Sequence, residues 1–350
     1  MCTSAQSSLP RVSLVVTLLL CTHALAGQPC TQDSAVAPIR GSAVLVPGSE
    51  GKEQLAPEVA VVLLGFEARL KTAIDANDLR AQALTLDRIG ALYFARADPA
   101  EALNRFQRLL FIVRELGDQT AEATALSDIG SANFALGRNG QALDAFKQAL
   151  PIWRKVEDRD HEAAILANIG EVFRALNDQD EALHFDQIAL PLYETAGNRN
   201  GQAVVLNHIG LAYYASHDKK RAIDAFQRAH EIYRSMLNLP GEAMTLNNIG
   251  GTYSQFGDSR KALEQFQQVL PILGQLGDKK NEATALNNMA AAYSRLGDGQ
   301  RALQFYKQAV LAFRAAGDEG GAQAVTENIK RLYEDPRFRA SLGQKPEEFE

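Results

Sequence analysis

The hydrophobic positions of this chain recur every forty residues, without insertion or deletion. Each cycle opens on a leucine: Leu86, Leu126, Leu166, Leu206, Leu246 and Leu286. Three residues on stand Ile89, Ile129, Ile169, Ile209, Ile249 and Met289, followed at once by Gly90, Gly130, Gly170, Gly210, Gly250 and Ala290. Three further on come Tyr93, Asn133, Phe173, Tyr213, Tyr253 and Tyr293. Steps of three and four gather these residues on one face of a helix. Twelve residues after the glycine position stands Ala102, Ala142, Ala182, Ala222, Ala262 or Ala302, and sixteen after it Phe106, Phe146, Asp186, Phe226, Phe266 or Tyr306. These belong to a second helix. Gly137, Asn177, Gly257 and Gly297 separate the two, being residue types that tolerate the left-handed conformation beyond a helix end. Asp98, Asp178, Asp218, Asp258 and Asp298 follow, placed to accept backbone N–H bonds at the start of the second helix.

The polar positions carry a second regularity. The strings LNHIG, LNNIG and LNNMA put Asn and Gly inside first helices, where each costs roughly 0.7–1 kcal/mol relative to Ala. The glycine lies on the Leu–Ile–Tyr face and is expected to let a neighbouring helix come close. The asparagines point away from that face. Pro151, Pro191 and Pro271 lie deep in second helices, where the lost hydrogen bond predicts a bend. Residues 58–76 align with the second helix of a preceding unit, and residues 319–333 with the first helix of a following one. Lys330 occupies the glycine position there, which predicts a polar cap. The pattern predicts fourteen helices.

The order Leu, Ile-Gly, Tyr, Ala, Phe at these offsets resembles the tetratricopeptide repeat, whose standard unit is about 34 residues with Trp at the first landmark. Here Leu replaces the Trp, the terminal Pro is absent and the second helix is longer. Such units are similar to those of kinesin light chains, Pins-type adaptors and exported bacterial repeat arrays. The resemblance implies an all-α solenoid, a right-handed superhelix of antiparallel helix pairs. It comprises about six full repeats plus a leading helix and a C-terminal capping helix, over residues 58–334. It also implies that the side of the first helix opposite the packing face lines a concave groove. Early repeats then offer Asp87, Arg88, Phe94, Asp128, Ser131 and Phe134 to that groove, and the middle ones Asn168, Glu171 and Arg174. Late repeats offer Asn207, His208, Tyr214, Asn247, Asn248, Gln255, Asn287, Asn288 and Arg295. Small residues lie between them: Ala91, Ala95, Ala135, Ala175, Ala215, Gly251 and Ala291. A carboxamide both donates and accepts, so a row of them can pair with the backbone of an extended peptide whatever its sequence. The alternative is that the amides bond one another, the helix ends or water. In this family a lysine at the site of Asn247 clamps a partner's terminal carboxylate; its absence points away from that mode.

Composition narrows the function. The 350 residues carry a net charge of −6, and no basic stripe marks a nucleic-acid surface. There is no H-E-x-x-H (His161-Glu162 runs into AAIL), no G-x-S-x-G, no phosphate loop and no dinucleotide fingerprint. Glu171, Asp128 and Asp87 could serve a hydrolase, but no nucleophile and base accompany them. Neither a metal nor a cofactor is expected, and His208 has no paired ligand at metal spacing. Arg11 precedes the apolar run VSLVVTLLLC, and Ala24 and Ala26 form an A-x-A cleavage pattern. Residues 1–26 therefore read as a secretory signal peptide, with no membrane span in the mature chain. Cys30 then stands alone and makes no internal disulfide. Residues 27–57 read as a linker and residues 335–350 as an exposed tail. The expectation is a non-catalytic scaffold, exported to the periplasm or secreted, that binds a protein or peptide partner in its groove. The alternative is a structural or self-assembling envelope component acting through its convex or end surfaces.

Overall fold

The computed structural model describes residues 57–342; the expected signal peptide and nearly all of the expected linker lie outside them. Every element among the described residues is helical. In chain order these are α1 (Pro57–Asp75), α2 (Leu79–Ala95), α3 (Pro99–Glu115), α4 (Gln119–Ala135), α5 (Asn139–Lys155), α6 (Arg159–Ala175) and α7 (Gln179–Ala196). Then follow α8 (Arg199–Ala215), α9 (Lys219–Ser235), α10 (Leu239–Gln255), α11 (Ser259–Leu276), α12 (Lys279–Arg295), α13 (Gly299–Ala315), α14 (Glu319–Glu334) and the single turn α15 (Arg339–Leu342). The chain divides into two compact units between Phe185 and Asp186, within α7. In each unit, consecutive helices pack as antiparallel pairs, with even-numbered α2 to α14 as first helices of the repeats.

The connections are near-identical. A left-handed residue recurs every twenty positions, from Asn77 (φ 53°) and Ala97 (φ 59°) to Gly317 (φ 72°). It is followed by an Asp or Asn at nearly every turn. Gly137, Asn177, Gly257 and Gly297 have the expected positive φ, between 62° and 85°. Of the expected caps, Asp98, Asp178, Asp218 and Asp298 each accept a backbone N–H three residues on, at 3.0–3.2 Å. Asp258 does not cap α11; its carboxylate turns to Lys219 of the preceding repeat. The sequence reading missed the equivalent caps of the first helices, among them Asp78, Asp118, Asn198, Asn238 and Asp278. Leu237 holds φ 55° while 85% exposed. A β-carbon in that conformation costs about 1–2 kcal/mol. Leu237→Gly relieves it, offset by the freer unfolded chain. The net gain is expected to be about 0.5–1 kcal/mol, read as a higher melting temperature.

Aromatic rings and glycines explain the register. A β-carbon on Gly90, Gly130, Gly210 or Gly250 would lie 2.4–2.7 Å from the ring of Phe106, Phe146, Phe226 or Phe266. Each ring therefore lies flat on the glycine of its own repeat. A second set escaped the sequence reading: Gly201, Gly241 and Gly321 receive the rings of Tyr193, Tyr233 and Phe313, each eight residues earlier. In the first unit the same register holds His161, which stacks on Trp153 at 4.3 Å between centroids. Burying these rings supplies the apolar area that drives folding. Where the ring position holds Asp186, fully buried, the partner is instead His208, with Nδ1 3.9 Å from a carboxylate oxygen.

Pro151, Pro191 and Pro271 lie inside uninterrupted helices. All three are exposed, as are residues 147, 187 and 267, whose carbonyls lose their partner. Water can satisfy those oxygens, so the missing bond costs less there than in a core. In the expected tail Pro336, Arg337 and Ser341 are exposed, but Phe338 is not. Phe338 is 1% exposed and sits against Gly299 at the start of α13. Gln300 Nε2 lies 3.4 Å from the Ser341 carbonyl oxygen.

Candidate functional site

First helices of successive repeats stack side by side within each unit, and the polar residues just before the glycine positions meet across that contact. In the second unit Asn248 Nδ2 donates to Asn207 Oδ1 at 2.7 Å, and Asn328 Nδ2 to Asn287 Oδ1 at 3.1 Å, each pair 41 residues apart. Asn247 and Asn288 occupy the rung between these two. That rung is open: Asn247 Oδ1 is buried with no hydrogen-bond partner among the described residues. The carboxamide row is thus partly engaged with itself. Asn328 was not singled out from the sequence, although the forty-residue register puts it at the position of Asn248 and Asn288.

The remaining candidates separate by environment. Asn207 and His208 are only 5% and 4% exposed. His208 is drawn inward by Asp186 and does not line an open groove. Asn248, Asn287 and Asn288 are half-buried. Tyr214 packs against the cluster of Ala222, Phe226 and Ile249, with part of its ring accessible. Gln255 is exposed at the end of α10, and Arg295 Nη1 donates to the Ser254 carbonyl oxygen at 3.1 Å, again 41 residues back. Asn168 and Arg174 belong to the first unit, where Arg174 Nε donates to Glu171 at 3.0 Å.

The corresponding rung of the first unit is acidic. Asp87 and Asp128 hold the register that Asn207 and Asn248 hold in the second. Burial pushes the Asp87 carboxyl up to about 6, with Arg88 pulling it back. Asp128 is raised well above the usual carboxylate range, first by burial and then by Asp87. Two carboxylates in a desolvated contact cannot both ionise cheaply. Trp153 Nε1 donates to Ser127 Oγ beside them, at 3.2 Å. Among the described residues no three His, Cys, Asp or Glu side chains gather as metal ligands, and no helix is long and apolar enough to cross a membrane.

The tetratricopeptide repeat family model matches residues 79–155, 121–195 and 161–235, and a second tetratricopeptide repeat model matches residues 283–316. No curated protein matches the chain. Among solved structures, BtubC (BKLC) from P. vanneervenii is similar at 20% identity and a TM-score of 0.57, over 63% of this chain and 93% of its own. The apo form of RapI is similar at 14% identity and a TM-score of 0.56, over 83% of this chain and 88% of its own. A Rap protein complexed with Competence and Sporulation Factor gives 14% identity and a TM-score of 0.51, over 79% and 86%.

Proposed function

Since the chain belongs to the tetratricopeptide-repeat family, we propose that its second unit holds an extended segment of a protein partner against the asparagine-bearing face of its first helices. The open rung supports this reading most. Asn247 Oδ1 and the Asn288 amide are matched to one peptide unit, which offers one N–H and one C=O. A buried acceptor left without a donor costs roughly 1–3 kcal/mol, and turning the half-buried Asn247 amide out to a partner backbone would remove that cost. The small residues Gly251 and Ala291 leave room above the rung. A solved Rap protein of the same fold carries a bound factor, which is compatible with this use of the scaffold. The protein acts without catalysis of its own, and residues 1–26 export it to the periplasm or beyond.

The test compares two variants of the mature chain against a segment mapped from a captured partner. Asn247→Ala with Asn288→Ala removes the open rung. It should weaken binding by about 1–3 kcal/mol, the worth of two such hydrogen bonds. Asn328→Ala breaks a rung already closed and should leave affinity nearly unchanged. Binding should also depend weakly on salt, since few ion pairs are available to screen. Unchanged affinity in the double variant, with intact helicity, would replace this reading with self-assembly through convex or end surfaces.

A further inference from the structure

The sequence contains no long basic run, yet folding gathers cations along one edge of the second unit. Lys219, Lys220 and Arg221 occupy the first turn of α9, Arg260 and Lys261 that of α11, and Arg301 that of α13. None of these first turns contains an acidic residue. By contrast α3 and α7 carry acids there, Glu101 in one and Asp180 with Glu181 in the other. A cation at a helix N-terminus opposes the macrodipole. The same local rule is broken in three successive repeats.

Neighbouring turns touch. Lys219 pairs with Asp258 of the next repeat and lies 5.5 Å from the Tyr253 ring centroid. The cations rest on the tyrosines eight residues before them. Arg221 stands 4.4 Å over Tyr213, Lys261 5.5 Å over Tyr253 and Arg301 5.5 Å over Tyr293. Such stacking holds long side chains at the edge and reduces the entropy lost when they meet a ligand. Asp218 pairs with Arg221, Asp258 with Lys219 and Asp298 with Arg301, which offsets part of the charge. Lys220 and Arg260 are exposed and make no ion pair among the described residues. These two break the local rule without such compensation, as is expected at functional positions.

We propose that this edge docks an extended acidic polypeptide segment, independently of the asparagine face. The cations come in clusters, one per repeat, with a carboxylate beside each. A uniformly charged phosphate backbone would run over those carboxylates, whereas discrete side-chain carboxylates can sit between them. Lys219 at the start of α9 reaches Asp258 just before α11, so neighbouring clusters lie within a lysine side chain's length, and three residues of extended chain span about 10 Å. The matching segment therefore carries Glu or Asp at every third residue, to meet Lys220 and Arg260, whose guanidinium fork can hold a carboxylate by two bonds.

The probe is a fluorescein-labelled peptide of about ten residues with Glu at every third position and Ser and Gly elsewhere. Anisotropy is measured with the full chain. Lys220→Glu combined with Arg260→Glu should weaken binding at least tenfold, roughly the worth of losing two charge contacts. Raising salt from about 50 to about 300 mM should weaken it steeply. The same peptide with Gln in place of Glu should not bind, and the Asn247→Ala, Asn288→Ala variant should bind like the parent. If the charge-reversed protein fails to fold, Lys220→Ala with Arg260→Ala makes the same test. Three outcomes would overturn the proposal. One is undiminished affinity of the charge-altered protein. Another is equal binding of the Gln peptide. The third is tighter binding of single-stranded oligothymidine or phosphatidylserine vesicles than of the Glu peptide.

Discussion

Gly250→Leu is expected to destabilise the second unit by at least about 3 kcal/mol, the upper range for overpacking a filled core. A β-carbon there would lie 2.7 Å from Phe266, whose ring is fully buried and cannot withdraw. Leucine adds three more carbons in the same direction. Gly210→Leu meets Phe226 at 2.6 Å and should behave alike. The adjacent glycine is the control. Nothing lies within 4 Å of a β-carbon on Gly251, so Gly251→Ala should raise stability by up to about 1 kcal/mol through helix propensity alone. Thermal melting followed by far-ultraviolet circular dichroism separates the two. A Gly250→Leu protein that melts with the parent would show that the rings do not rest on these glycines. In a linear repeat each unit leans on its neighbours, so the loss should spread to adjacent helices.

Stability of the first unit should fall as pH rises through the range where Asp87 titrates. An ordinary aspartate ionises near 4, whereas the folded unit holds the Asp87 proton to about 6. Between those values the folded state binds more protons than the unfolded chain, so raising the pH favours unfolding. A shift of that size corresponds to roughly 3 kcal/mol, and Asp128, raised as well, adds to it. Trp153 is the one tryptophan and lies in the first unit, so its fluorescence reports that unit. The melting transition it follows should be higher near pH 5 than near pH 7.5. Asp128→Asn turns the acidic rung into one that can donate to Asp87, as the asparagines do in the second unit. It should stabilise the unit at neutral pH by about 1–3 kcal/mol and flatten the pH dependence. A destabilised Asp128→Asn protein at neutral pH would sink this account. The second unit has the opposite sign at its surface. Backbone N–H donation and Lys280 hold Asp318 below the usual range, so that stabilisation is present at neutral pH and lost on acidification.

The repeat was legible because its causes are local and recur. A glycine beneath a ring sixteen residues away, an alanine at the crossing and a left-handed residue at each turn leave their mark at fixed spacing. Helix existence, helix pairing and the caps after the first helices followed from that spacing. Even Asp258, at the cap position, was correctly placed on a turn, though its carboxylate went elsewhere. The second set of glycines, Gly201, Gly241 and Gly321, carries an equally regular signal, eight residues after an aromatic.

What the sequence by itself determined is the repeat: two helices, a connection of two or three residues at each end and one packing face. These depend on contacts within about twenty residues, where periodicity and turn chemistry decide the outcome. Only the tertiary structure decided what happens between successive repeats. Asn207 meets Asn248, Asp87 faces Asp128, Arg295 reaches Ser254 and Lys219 reaches Asp258, all at separations near 40 residues. Those pairings depend on the offset with which one repeat stacks on the next. Helical periodicity places a side chain on a face but does not say which residue of the neighbouring helix it meets. For the same reason His208 turned inward to Asp186, Phe338 folded back onto Gly299, and cations scattered along the sequence came to share an edge.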